Sequence, residues 1–449
     1  MSLKKFKQIN YKKVTILFLL FLLGVVAGYL VLYPSYAYYE ESKNFDVING
    51  TIEDPGDIYF AYYIDGIISR NMPSQNTGYT LDTEKSNCNN GVIPAWDNAG
   101  WKFIGDYHNY NETDNTRTKC TLYFNKTSKT FSTALGNIEV NTYTPDFTKS
   151  ACDDESCESH EKGIYETTDY DSNPTYYYRG SVENNYVKFA GFYWRIIRIN
   201  SNGSIRMIYD GTSAHANGEA SEDRQYGTSQ FNSNCNDNMY LGYMYAKGDA
   251  YGLEISSTIK IANDQFYIDK LSNYTSKLDM NVGFCSDRST LNLQNGVGTE
   301  MVTTFNKGYF RTEKSMPTLA CENKSDYYTV TNSNLGNKSL TYSIGLITVD
   351  EVMLAGHSGG IFSGSYNYTK RNENSYLATG NIFQLMTPAG GYNPYGFTGF
   401  GSRVFSVNTT GEIDVYDTTN KLGLRPVINI RSNVNITGSG TQNDPYLVN

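Results

Sequence analysis

The residues from Val14 to Tyr33 form one apolar run without a single charge. A helix rises about 1.5 Å per residue, so a run of this length matches a hydrocarbon core of about 30 Å. It has no polar face to show to water, which argues against a buried helix of a soluble core. Lys4, Lys5, Lys7, Lys12 and Lys13 precede the run, and Glu40 and Glu41 follow it. The positive-inside rule then predicts residues 1–13 as a cytoplasmic tail, 14–33 as a single-pass transmembrane signal anchor, and the bulk of the chain as extracellular at the plasma membrane. Tyr29 and Tyr33 suit the outer interface. The alternative is a cleaved signal peptide, with an A-x-A-like site at Ser35-Tyr36-Ala37, although the run exceeds the usual length of such apolar regions.

Composition bounds the partners. Lys plus Arg is 37 against 46 for Asp plus Glu, a net charge of −9, and nucleic-acid binding needs the opposite balance. The 40 tyrosines far outnumber the 3 tryptophans. With the many Asn-Gly, Asn-Ser and Asp-Asn pairs, the chain reads as short strands joined by frequent turns. All 7 cysteines follow the apolar run, in a compartment that permits disulfides. The preferred pairing is Cys88–Cys120, Cys152–Cys157 and Cys285–Cys321, leaving Cys235, one choice among several that spacing alone does not separate.

The extracellular part is about 415 residues, enough for two or three domains. Residues 34–51 read as a polar stalk. Ile58 to Ile64 alternate as a strand before an Asp65-Gly66 turn, and Cys120 to Phe124 alternate again. Residues 52–128 are therefore expected to be a small all-β, sandwich-like domain, and 129–180 a linker or extension. Residues 181–449 follow as the main domain. There Tyr186–Phe189 and Phe192–Ile199 are strands, and an Asn202-Gly203 type I′ turn leads into Ile205–Tyr209. Trp194 is a structural residue of that sheet. A helix is predicted over 258–278 with Ser257 as cap, and a shorter one over 348–355 with Thr348 as cap. Arg403–Val407 pairs with Ile413–Tyr416, Leu424–Ile430 is a final buried strand, and a polar tail ends the chain.

Four blocks of the second half carry a resemblance. They are Phe192-Tyr193-Trp194-Arg195-Ile196-Ile197-Arg198, Ile344 to Val352, Ser402 to Val407 and Gly423-Leu424-Arg425-Pro426-Val427-Ile428. Together they resemble an uncharacterised domain of bacterial surface and secreted proteins. That domain is similar in block order to the formylglycine-generating-enzyme branch of the C-type-lectin-like fold. The resemblance implies an α+β C-type-lectin-like domain over about 181–449. The first extracellular segment resembles small β domains of such surface proteins through Tyr63-Ile64-Asp65-Gly66, Met72-Pro73, Trp96-Asp97 and Cys120 to Phe124. The enzyme's paired cysteines have no counterpart, because none lies between Asn381 and Gly423. The calcium-binding Glu-Pro-Asn tripeptide of sugar-binding lectins is missing too. Neither activity carries over.

No Gly-x-Ser-x-Gly or His-Glu-x-x-His motif occurs, and His108, His160, His215 and His357 are far apart. Cys152, Cys157 and His160 read as a local disulfide beside a histidine rather than as a metal site. No catalytic residue, metal or cofactor is predicted, and no motif supports a structural calcium ion. Asp350 and Glu351 read as a helix N-terminus stabilised by its own dipole. Arg425, in an apolar strand, should be buried and paired, with Glu351 as one partner to test. The segment 356–401 interleaves aromatics with Gly, Ser and Asn, the composition of adaptable contact loops. Its candidate ligand-binding residues are Tyr366, Tyr368, Tyr376, Tyr392, Tyr395 and Phe397. The expected function is a membrane-anchored surface binding or adhesion protein for an extracellular protein or glycan. The alternatives are a self-assembling envelope protein and, further off, an enzyme on a lectin-like scaffold.

Overall fold

The structure is a computed structural model of the 449-residue chain. It describes residues 58–73, 79–89, 91, 95–97, 102–104, 118–126, 129–136, 138–151, 161–169, 171–249, 251–291, 304–331, 334–358, 374–391 and 401–448. The apolar run 14–33 lies outside these residues. Among the described residues, no helix is long and apolar enough to cross a membrane. The chain divides into two compact units, Met1–Met72 with Leu81–Asn125, and Pro73–Thr80 with Lys126–Asn449.

The smaller unit is built on β1 (Ile58–Ile64), β2 (Ile67–Ser69), β3 (Asn87–Cys88) and β4 (Thr118–Lys126). Asp65 and Gly66 both take positive φ, 48° and 82°, as the predicted β1–β2 hairpin turn requires. A sandwich-like arrangement was expected here, but β1 pairs with β4 in parallel, Ile58 opposite Thr118 through Ile64 opposite Phe124. A parallel pair needs a long crossover between its strands, and 65–117 provides it. Cys88 sits directly opposite Cys120 in the ladder, and the two form the predicted disulfide.

In the larger unit, β5 (Gly163–Thr168), β6 (Pro174–Arg179), β7 (Tyr186–Phe189), β8 (Phe192–Ile199) and β9 (Ile205–Gly211) form a mainly antiparallel sheet. Its order runs on through β13 (Val427–Ile430) beside β9, and through β15 (Tyr446–Val448) and β14 (Asn435–Thr437) beyond β7. The expected polar tail therefore extends the sheet, with β15 parallel to β7. A second sheet centres on β10 (Phe383–Gly391), β11 (Arg403–Val407) and β12 (Ile413–Asp417). Among the described residues helices are few and short: α1 (Phe131–Leu135), α2 (Thr258–Phe266), α3 (Lys307–Lys314) and α4 (Val349–Leu354), with short 3-10 and π turns besides. The unit is mostly β-sheet, and this overturns the α+β C-type-lectin-like expectation. Only two helical patterns are legible in its sequence and both give short elements, while strands form also within 129–180, expected as a linker or extension, and in the expected polar tail.

Local rules set those helices. Ser257 caps α2 by accepting from the Lys260 N–H, and Ile259, Asn263 and Phe266 face inward. A π turn over Tyr267–Leu271 and a 3-10 turn over Ser272–Lys277 then carry the predicted element on. Asn200 to Ser204 join β8 to β9, and only Gly203 takes positive φ, 80°. The loop is thus longer than the two-residue type I′ turn expected at Asn202-Gly203. Trp194 is fully buried and donates its indole N–H to Phe189 O at 3.0 Å. Around it Phe192, Tyr209, Tyr226 and Phe266 meet edge to face or tilted, arrangements that aromatic quadrupoles favour.

Candidate functional site

A pocket of about 220 Å³ opens in the larger unit between β8, β9, the first turn of α4 and the 281–287 and 318–320 segments. Arg198 on β8 stands directly opposite Arg206 on β9. Like charges paired across a ladder repel, so a third group has to hold them. Glu351 does: its Oε1 lies 2.9 Å from Arg198 Nε and 2.5 Å from Arg206 Nε. Glu351 is placed by α4, where Thr348 and Glu351 close a reciprocal capping box. Burial raises the cost of its charge, but Arg206 and Arg198 outweigh this and hold its carboxyl below the usual range.

The neighbouring residue faces the other side of the pocket. Both Asp350 oxygens accept from Arg311, at 2.8 and 2.9 Å, in a bidentate pair, and Arg311 Nη1 also reaches Asp287 at 2.7 Å. Burial works against the Arg311 charge, but Asp350 and Asp287 prevail and push its pKa up. So one carboxylate answers two guanidiniums on one side, and one guanidinium answers two carboxylates on the other. The Cys285–Cys321 disulfide, present as predicted, ties the segment that carries Asp287 to the one that follows Ala320. Asp169 and Asp171, from the β5–β6 turn, complete the lining.

The donors of Arg206 are shared among Glu351, Gly283 O and Leu346 O, and its guanidinium lies over the Phe284 ring at 4.5 Å. Arg198 differs. Its Nε is used by Glu351, but neither Nη has a hydrogen-bond partner among the described residues. The residue is only 9% exposed, and that exposure is to the pocket it lines.

Arg425 is fully buried, as expected, but pairs with Asp210 rather than Glu351, Nη2 to Oδ1 at 2.9 Å. Sheet order decides this, because Arg425 leads into β13 and Asp210 lies near the end of β9, its neighbour. Arg224 joins the same carboxylate at 2.8 Å, and Arg195 Nη1 lies 3.9 Å from its other oxygen.

Two histidines stand among hydroxyls and carboxylates in ways that invite a catalytic reading. His215 Nδ1 is 2.9 Å from Glu219, and its Nε2 is 3.0 Å from Asp223 and 3.2 Å from Ser213 Oγ. Burial lowers its pKa, but the bonds to Asp223 and Glu219 outweigh this, and the net shift is upward. Both ring nitrogens are engaged by carboxylates, and Asp223 competes with Ser213 for Nε2. The role of His215 is to pin the 212–223 loop, where Asp223 also accepts from the Thr212 and Ser213 N–H groups. His357 Nε2 lies 2.7 Å from Ser375 Oγ, and its Nδ1 faces Gly411 O. Both side chains are buried, and a carbonyl stands where a triad would place a carboxylate. Burial, with Arg179 and Arg425 nearby, lowers the His357 pKa to about 4.

Tyr376, one of the candidate contact residues, is fully buried, with its hydroxyl donating to Tyr178 O at 3.3 Å. Tyr366, Tyr368, Tyr392, Tyr395 and Phe397 lie outside the described residues, as do Cys152, Cys157, His160 and His108. The chain on either side of these loops is described. Ile413 N–H donates to Ser358 O near the β11–β12 turn, whereas Gly401 packs against Cys235, with Ser402 N–H on Cys235 O at 2.7 Å. Cys235 is the one free cysteine among the described residues.

The pocket residues Arg198, Arg206, Arg311 and Asp287 were not singled out as a site from sequence. Arginines inside the apolar strands 192–199 and 205–211 were the available signal, since a buried guanidinium demands a carboxylate. Among the described residues, no group of three or more His, Cys, Asp and Glu side chains is arranged to hold a metal ion. No family model, curated protein or solved structure matches the chain.

Proposed function

We propose that this chain is a bacterial cell-surface binding protein, held at the membrane through residues 14–33, that presents ligand-contacting surfaces to the medium. One observation carries the reading. The pocket between β8, β9 and α4 has walls fixed by ion pairs and a disulfide, yet one guanidinium there is left with open donors. Preorganised walls favour binding, because little side-chain entropy remains to be lost when a ligand arrives. The residues best suited to catalysis support the same reading. Asp350, Glu351, His215 and His357 are all held by structural partners. Disulfides in both units fit an oxidising exterior. The Tyr-, Gly- and Asn-rich segments 359–373 and 392–400 are proposed, on sequence grounds, as a wider contact surface for a protein or glycan.

The test is to screen the full chain, in detergent micelles, against glycan and protein arrays. Saturable binding to one class, lost when Tyr392, Tyr395 and Phe397 are replaced by Ala without a fall in melting temperature, is the expected result. A clean monomer that binds no member of either array would sink the adhesion reading.

A further inference from the structure

We infer that the pocket between β8, β9 and α4 binds a small zwitterion, an amino acid or short peptide. Its carboxylate would be gripped by the two terminal nitrogens of Arg198, and its ammonium drawn to the acidic side and rim. The inference rests on the binding reading above and names a ligand class for this site. Glu351 carries one negative charge and is already neutralised by Arg206, which has two carbonyl partners and a ring of its own. Arg198 is therefore a nearly buried second cation whose Nη1 and Nη2 meet no acceptor among the described residues. A cation whose free donors open only into a pocket, with its stem buried, favours an anion that reaches it there. The planar fork suits a carboxylate, which can accept both N–H groups in parallel.

The rest of the lining chooses between anions. Beside Arg311 the excess is negative, from Asp287 and Asp350. At the rim, Asp171 is exposed and its carboxylate has no hydrogen-bond partner among the described residues, and Asp169 adds a second charge. A phosphate or dicarboxylate would meet that negative field, whereas a ligand with separated opposite charges matches both sides. A volume of about 220 Å³ admits a solute of amino-acid to dipeptide size.

The test titrates the full chain, in detergent micelles, with glycylglycine, acetate, methylammonium and inorganic phosphate by calorimetry. Glycylglycine should bind at least tenfold more tightly than acetate, and methylammonium and phosphate should give no measurable heat. Arg198→Met should abolish glycylglycine binding while its urea midpoint stays near that of the parent chain. Arg198→Lys should weaken binding about tenfold, the loss of one arm of a bidentate contact. Asp171→Asn should weaken glycylglycine and leave acetate unchanged. Absence of glycylglycine binding, equal affinity for acetate, tighter binding of phosphate, or unchanged binding by a folded Arg198→Met would each overturn the inference. The two readings fail separately: a chain silent on the arrays that still binds glycylglycine loses the adhesion reading and keeps the pocket. A chain that captures an array partner but ignores glycylglycine does the reverse.

Discussion

Asp210 and Glu351 each face more guanidinium than one carboxylate can neutralise, and the protein resolves the two excesses differently. Around Asp210 stand Arg195, Arg224 and Arg425, all fully buried. Most of their surplus donors are taken up by main-chain and amide oxygens; Arg195 Nη1, 3.9 Å from Asp210 Oδ2, has no hydrogen-bond partner but is sealed in the core rather than open to a pocket. Arg224 reaches Glu219 O, Ala378 O and Tyr376 O at 2.8, 2.7 and 2.9 Å. Arg425 reaches Tyr209 O and Leu377 O, and Arg195 reaches Asn185 Oδ1, Val182 O and Asn217 Oδ1. Arg195 also lies 3.7 Å from the centre of the Tyr186 ring, where the quadrupole spreads its charge further. Around Glu351 only Arg206 is treated this way. A buried excess of arginine is thus no sign of function in itself. Donors left open toward a pocket are, and they separate Arg198 from the other four.

The sharpest way to break this contrast is to remove Asp210. Asp210→Asn leaves three buried guanidiniums without the carboxylate they share, and breaking a buried pair in this way destabilises by about 3–5 kcal/mol. Arg224→Met should fall in the same range, because it strands three carbonyl groups as well as the charge. Urea unfolding reads both. A loss below about 1 kcal/mol for either would mean that the cluster is not what ties β9 to the Arg425 segment.

How much of this was legible in the sequence depends on how local each interaction is. The Thr348 cap of α4 lies within four consecutive positions and is read directly, although the return bond from Glu351 that completes the capping box was not. The Asp65-Gly66 turn and the β11–β12 pairing are equally local and were also found. The disulfides Cys88–Cys120 and Cys285–Cys321 were chosen correctly, though spacing alone did not compel them. What failed was anything decided by sheet order. Arg425 and Asp210 are 215 residues apart and meet only because β13 lies beside β9. The parallel register of β1 and β4, and the use of the C-terminal tail as β14 and β15, are likewise non-local. Tyr376 looked like a loop aromatic because Asn374 and Ser375 precede it in a segment rich in Tyr, Gly, Ser and Asn. It is instead core, since Gly180 O accepts its N–H and Tyr178 O its hydroxyl.

A second perturbation uses pH. His357 is buried, and its pKa is lowered to about 4 from an ordinary 6.5, with Arg425 of the Asp210 cluster among the causes behind burial. The unfolded chain therefore takes up a proton near pH 6.5, while the folded chain resists until about pH 4. Stability from this group is fully present above 6.5 and is lost as pH falls toward 4, by roughly 3 kcal/mol. Replacing His357 by Gln should remove that portion of the acid dependence in urea unfolding measured from pH 8 to pH 4. An unchanged acid limb would show that His357 meets water or a carboxylate in the folded state.

The smallest expected effect is also the one that tests the contrast most directly. Arg198→Met deletes a guanidinium from the Glu351 pair but leaves Glu351 with Arg206 and with the Thr348 N–H at 2.9 Å. The methionine chain can follow the apolar stem of the arginine, and no carbonyl loses a donor, because Arg198 serves none among the described residues. Removing an incompletely paired buried cation can even stabilise a fold. The expected change in unfolding free energy is therefore within about 1 kcal/mol in either sign, against several for Arg224→Met. If the two substitutions destabilised equally, Arg198 would be as structural as Arg224, and its open nitrogens would carry no meaning for binding. If Arg198→Met leaves stability untouched, the guanidinium is retained at that position for something other than the fold.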